Sequence, residues 1–158
     1  MLKYLFAIAF AMCGYCADVK PESKWVEHQY VRVGTGVFAK KHMQHMSCAQ
    51  LGLGSRFARG EHAFDISTDI LIHPNYQAMS GAVAYHYAPT VLQGVYFGPG
   101  VKFGNFMRHE PGWVFTQQII QVPGILGFSS VNDKGRLTFI EAQMGVDKFL
   151  TVSSGFGF

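Results

Sequence analysis

Charge is scarce in this chain. Asp, Glu, Lys and Arg together make up 15% of its 158 residues, against about 25% in an ordinary soluble domain. With 49% hydrophobic residues, that scarcity excludes a disordered chain, a coiled coil and an acidic tail. The formal net charge is only +3 and the basic residues do not cluster, which argues against a nucleic-acid partner. Long apolar runs are missing too. Leu5–Met12 is short of the ~20 residues that a spanning helix needs, and no later segment comes closer. Cysteine is down to three residues. Two of them, Cys13 and Cys16, stand near the start, so Cys48 alone cannot form a disulfide framework in the rest of the chain.

The residues that are abundant point to strands. The chain holds 18 Gly, 14 Phe, 7 Tyr and 2 Trp. Lys3, the short apolar run and the small residues near position 16 read as a secretory signal peptide over 1–16, with cleavage after Cys16 or, as a second option, after Gly14. Lipidation at Cys13 or Cys16 is a poorer match. Residues 17–29 carry Asp18, Lys20, Glu22, Lys24 and Glu27 and form a polar lead-in. Residues 30–158 are the folded domain.

From Tyr30 onward the pattern has a period of two. Val31, Val33, Thr35 and Val37 alternate with Arg32, Gly34 and Gly36. Phe64, Ile66, Thr68, Ile70 and Ile72 alternate with Asp65, Ser67 and Asp69. Similar runs cover 49–57, 80–87, 95–103 and 150–158. Such alternation makes strands with one apolar face. Turn compositions separate them at 40–46, 59–61, 74–78, 88–91, 104–112, 131–135 and 146–148. Eight strands result. The sixth, around 113–130, is interrupted by Pro123-Gly124, which implies a bulge or a break.

The second face is not rich in Lys and Glu, as a solvent-facing one would be. It carries Gly, Ala, Ser, Gln and a few charges. Eight strands enclose an interior just wide enough to be filled by side chains. The expectation is an all-β, eight-stranded antiparallel up-and-down transmembrane β-barrel, with small and polar residues inside and bulky apolar ones facing lipid. Strands of about 10 residues suffice for this, and 30–158 accommodates eight of them. A lone charge in such a lumen would be costly, so Arg56, Asp65, Asp69, Lys102 and Glu141 are expected to form an interior charge network, with Arg32 and His86 nearby. Arg56 is paired with Asp65 or Asp69, and Glu141 with Lys102 or Arg32.

The chain ends Phe149-Leu150-Thr151-Val152-Ser153-Ser154-Gly155-Phe156-Gly157-Phe158. The terminal aromatic, with Leu150, Val152 and Phe156 at alternate positions before it, resembles the C-terminal signature of Gram-negative outer-membrane β-barrel proteins. Gly60–Ser67 and the Gly155-Phe156-Gly157-Phe158 ending are similar to small barrels of chlamydial type. The resemblance implies an outer-membrane location, contact with outer-membrane lipid, and recognition of Leu150, Val152, Phe156 and Phe158 by the assembly machinery. It implies a structural or surface-exposed role, with no enzyme activity and no cofactor. The alternative is a soluble secreted β-barrel binding a small apolar ligand, though no Gly-x-Trp pattern stands near the first strand.

The remaining constellations are weak. His45 and Ser47 could share a face, as a base and a nucleophile must, but no acid is placed to orient the histidine. His42, Met43, His45 and Met46 offer soft-metal ligands within one loop. Trp113 and Tyr76 are candidates for an interfacial aromatic girdle. Gly98-Pro99-Gly100 opens no helix and is no phosphate loop.

Overall fold

Nearly every described residue is in a strand, as the repeated alternation requires. The computed structural model describes residues 24–38, 46–109, 112–145 and 149–158. The expected signal peptide, most of the lead-in, and His42, Met43 and His45 lie outside these residues. The strands are β1 (Val26–Phe38), β2 (Met46–Arg59), β3 (His62–His73), β4 (Tyr76–Tyr87), β5 (Val95–His109), β6 (Trp113–Gln121), β7 (Gly124–Val131), β8 (Leu137–Gly145) and β9 (Phe149–Gly157). Every pairing is antiparallel, and β1 pairs with β9 to close the sheet.

Strands β6 and β7 are two halves of one stave. Both pair with β5, β6 along Lys102–His109 and β7 along Val95–Pro99. Pro123 lacks an N–H and breaks the strand, but its carbonyl accepts a 2.9 Å bond from Gly100 N, so the stave stays attached. The result is a closed eight-stranded up-and-down barrel. Its register climbs by about ten residues on one circuit, which fits the usual strand tilt of roughly 40°. Among the described residues β6 has β5 as its one neighbour, because β8 ends at Gly145, level with the proline break.

Three boundaries differ from the sequence reading. β1 starts at Val26, four residues into the expected lead-in, because Val26–Gln29 pair with Ser55–Ala58. The turn expected over 74–78 is confined to residues 74 and 75. The turn expected over 104–112 is confined to 110–112, and β5 runs on to His109. Gly104 is a packing glycine there: a Cβ would strike Met79 O and Ser80 on β4.

Side chains in the lumen need room, and glycine supplies it. Tyr30 stands opposite Gly54, Tyr96 opposite Gly127, and Phe139 opposite Gly155. In each pair the ring covers the space where a Cβ would be. The three rings join Ala84, Ile125 and Leu137 in one apolar layer near the end that carries the chain termini. We call this the lower end. A second layer of Cys48, Leu71, Ala78 and Phe149, with Phe106 against it, lies toward the other end.

The lower rim is tied across strands. Glu61, in the β2–β3 turn, accepts bonds of 2.8 Å from Thr90 N and from Thr90 Oγ1, and one of 3.1 Å from Tyr87 OH. Its backbone carbonyl accepts Ala88 N at 2.7 Å. The connection after β4 is thereby held against the neighbouring turn, and it forms a short 3-10 turn at Thr90–Leu92.

Gly127→Ala places a methyl against the Tyr96 ring and should lower stability by about 1–3 kcal/mol, read as the urea midpoint of the heat-modifiable gel band. Hydrogen bonds from the Thr90 backbone, the Thr90 hydroxyl and Tyr87 hold the Glu61 carboxyl below its usual range. Its stabilisation is therefore full above the free carboxylate value of ~4.3 and fades as pH falls through the lower folded value. The midpoint gap between wild type and Glu61→Ala should be widest at neutral pH and close on acidification.

Candidate functional site: a sealed charge layer inside the barrel

The polar face of each strand turns inward. Arg32, Arg56, Asp65, Asp69, Lys102 and Glu141 are all at most 4% exposed. Three are cationic and three anionic, so the layer is balanced. Burial of this kind is tolerable only when each charge meets an opposite one and the spare donors find acceptors.

Two carboxylates organise the layer. Asp69 on β3 accepts a bidentate pair from Arg32 on β1, with Nε at 2.7 Å and Nη2 at 2.6 Å. Lys102 Nζ, from β5, sits 3.0 Å from its Oδ2. Arg32 reaches Asp69 across β2, where Gly52 is the intervening residue and a Cβ would collide with both side chains. Arg32 also donates to Ser67 Oγ at 2.8 Å.

Glu141 on β8 is the second centre. It lies 3.4 Å from Arg32 Nη1 and 3.4 Å from Arg56 Nη2. It accepts Tyr96 OH at 2.7 Å and Gln143 Nε2 at 2.7 Å. Arg56 also binds Asp65 at 3.1 Å, and Asp65 accepts Tyr30 OH at 2.5 Å. The Arg56 guanidinium lies 4.7 Å from the Tyr96 ring centre and 4.6 Å from that of Phe139, close enough for cation–π attraction.

The structure thus brings together all five residues named for the network, with Arg32 and His86 beside them. Of the alternatives expected, Arg56 binds Asp65 and Glu141 binds Arg32. Asp69 binds Arg32 and Lys102, and Glu141 also binds Arg56. Tyr30 and Tyr96 were not named for the network, because only charged residues were sought there. The glycine opposite each one was the available signal.

The layer is closed above and below. The Tyr30–Tyr96–Phe139 cluster underlies it, and the Leu71–Phe149 cluster caps it. Two cavities among the described residues are of about 10 Å³, room for about one water each. One is lined by Ser67, His86, Glu141 and Gln143 among others. His86 Nδ1 and Nε2 and Gln143 Oε1 lack a hydrogen-bond partner, so this cavity suits a bridging water.

The outer surface is the reverse of a soluble protein's. Leu53, Ile66 and Phe103 are 59%, 55% and 55% exposed. Apolar outward positions on β3 run from Phe64 to Ile72, which spans roughly 20 Å along the axis at the expected tilt, near the ~25 Å band of membrane barrels. Above it, outward positions turn to amides at Asn105 and Gln118. At its lower limit Trp25, Phe64 and Tyr85 are neighbours, with ring centres 5.8 and 5.5 Å apart, and Tyr87 meets Phe97 at 5.7 Å. These rings form an aromatic belt at the lower end of the wall. Tyr76 instead packs with Phe106 at 5.3 Å around the upper cavity, and the Trp113 side chain lies outside those described.

Of the hydrolase pair, Ser47 is exposed at the start of β2 and His45 lies outside the described residues. Cys48 is buried, its thiol donating to Gly36 O at 3.4 Å. Among the described residues no group of His, Cys, Asp and Glu could hold a metal.

Asp69→Asn should strand Arg32 and Lys102 and cost about 3–5 kcal/mol. Adding Lys102→Met restores charge balance. The double variant should recover part of the lost urea midpoint; a further loss would refute the pairing.

No protein family and no curated protein matches this sequence. Among solved structures, the fold is similar to that of Neisserial surface protein A, with a TM-score of 0.71 over 85% of this chain and 97% of that one. The two are 9% identical, so the likeness concerns the fold.

Proposed function

We propose that this chain is an integral outer-membrane β-barrel with a structural or surface-exposed role, a closed scaffold in the lipid rather than a pore or an enzyme. The observation that carries this reading is the inversion of the barrel: bulky apolar residues face outward while a balanced charge layer is sealed within. The likeness to a barrel titled as a surface protein supports it. A soluble ligand-binding barrel would need the opposite arrangement and a roomy apolar lumen.

In this reading the lower end, with both termini, faces the periplasm, and the turns after β1, β3, β5 and β8 face outward. Leu150, Val152 and Phe156 point out from β9, and Phe158 is 74% exposed beyond it. They lie open to lipid and, before insertion, to the assembly machinery of a Gram-negative envelope. The chlamydial type rests on the resemblance of Gly60–Ser67 and of the Gly155-Phe156-Gly157-Phe158 ending alone.

Carbonate extraction of the cell envelope should leave the protein in the pellet, and the unboiled sample should migrate faster on an SDS gel. Release into the supernatant without a mobility shift would sink the membrane reading. Deleting Phe158 should reduce the fast-migrating form in cells. Purified protein in a planar bilayer should give no stable conductance; steady channels would overturn the sealed lumen.

A further inference from the structure

The β4–β5 connection carries the most exposed apolar side chain described. Val91 is 88% exposed and Leu92 49%. Neither packs into the lower apolar layer, so they do not plug the barrel. They are not on a loose loop either. Pro89 O accepts Leu92 N at 2.9 Å, Gly94 O accepts Ser129 N at 2.8 Å, and Glu61 holds Thr90 through both its backbone and its hydroxyl. A rigid connection that presents valine and leucine outward needs a reason, since the adjoining turns Gly60-Glu61 and Asn132–Arg136 are polar.

We propose that Val91 and Leu92 insert into the interfacial layer of the periplasmic leaflet and anchor the barrel's depth in the membrane. The inference rests on the membrane reading above. The patch adjoins the outward wall along the chain: Tyr87 ends β4 on the outward face, Phe97 follows Val95 on the outward face of β5, and the two rings lie 5.7 Å apart. Seven residues lie between β4 and β5. A connection of that length, turned back by a 3-10 turn, extends at most about 10 Å beyond the strand ends. The headgroup layer is about 5–7 Å thick on each side of the hydrocarbon, which is within the reach of the connection. Apolar side chains at that level gain by burial at the headgroup boundary.

Three single-cysteine variants, each with Cys13, Cys16 and Cys48 replaced by Ala, test this. Val91→Cys, Lys134→Cys and Val83→Cys are labelled with an environment-sensitive fluorophore in vesicles of phosphatidylethanolamine and phosphatidylglycerol. Lipids carrying a nitroxide near the headgroup or deep in the chain serve as one quencher, and iodide on both sides serves as the other. The label at 91 should emit blue-shifted light and be quenched at least about twofold more by the shallow nitroxide than by iodide. The label at 134, on a polar turn at the same end, should show the reverse. The label at 83, mid-wall, should respond to the deep nitroxide. If 83 responds but 91 is quenched by iodide and not by lipid, the anchor is wrong and the patch faces water, open to a periplasmic partner. If 83 also fails to respond, the membrane reading itself fails.

Discussion

A bidentate arginine–aspartate pair at the centre of the closed lumen is the constraint on which the rest depends, and the membrane setting proposed above sharpens it. Arg32 and Asp69 come from strands that are not neighbours, and Lys102 completes the group from a third. Buried ion pairs are weak evidence for stability, because desolvation offsets much of the attraction. Their effect on specificity is stronger here. A strand slipped by one residue turns every side chain to the opposite face. Such a slip in β1 would put Arg32 into lipid, where a charge near the midplane costs about 2–4 kcal/mol. It would also strand Asp69 and expel Tyr30 from the lower layer. The charge layer therefore acts as a register lock for the strands that contribute to it.

The lock needs space, which explains where the glycines fall. Gly52 lets the Arg32–Asp69 pair bridge β2, and Gly54, Gly127 and Gly155 each lie beneath an aromatic ring. Glycine in a strand interior is otherwise a liability, since it adds backbone entropy and packs nothing. In this barrel the ring opposite provides the packing. The same rings cover the charge layer from below, so keeping water out and fixing the register are achieved by the same residues.

Much of this was legible in the sequence. The alternation in Phe64–Ile72 is unbroken, and β3 follows it residue by residue, with Asp65 and Asp69 inward. The proline at 123 marked the break in the sixth stave. The features that escaped notice have a common physical origin. Alternation fixes which face a residue takes, but not what stands beside it around the barrel. The partners of Asp69 depend on the shear of the sheet, a property of all eight staves together. Alternation puts Tyr30 and Tyr96 on the inward face but does not show that their hydroxyls join the charge layer, and the opposing glycines are what make such large rings fit a narrow lumen. Gly104 looked like a turn because glycine serves close packing and tight bends alike. The inward position of Tyr76 was hidden because the turn before it proved two residues long.

The two ends of the barrel are built differently, and this bears on a surface role. The lower rim has a rigid clamp at Glu61 and a belt of rings on its outer side. At the upper end, the connections after β3, β5 and β8 are two, three and three residues long, and that after β1 is seven. Surface recognition by long variable loops requires more chain than this. The upper feature with the greatest reach is the β5–β6 hairpin, which stands above the β8–β9 turn because the tilted register carries it there. On the proposed membrane reading, a contact made at that end would therefore engage strand backbone and barrel rim rather than a long loop surface. Under that proposal, short connections suit a scaffold at the membrane surface better than an adhesin with extended arms.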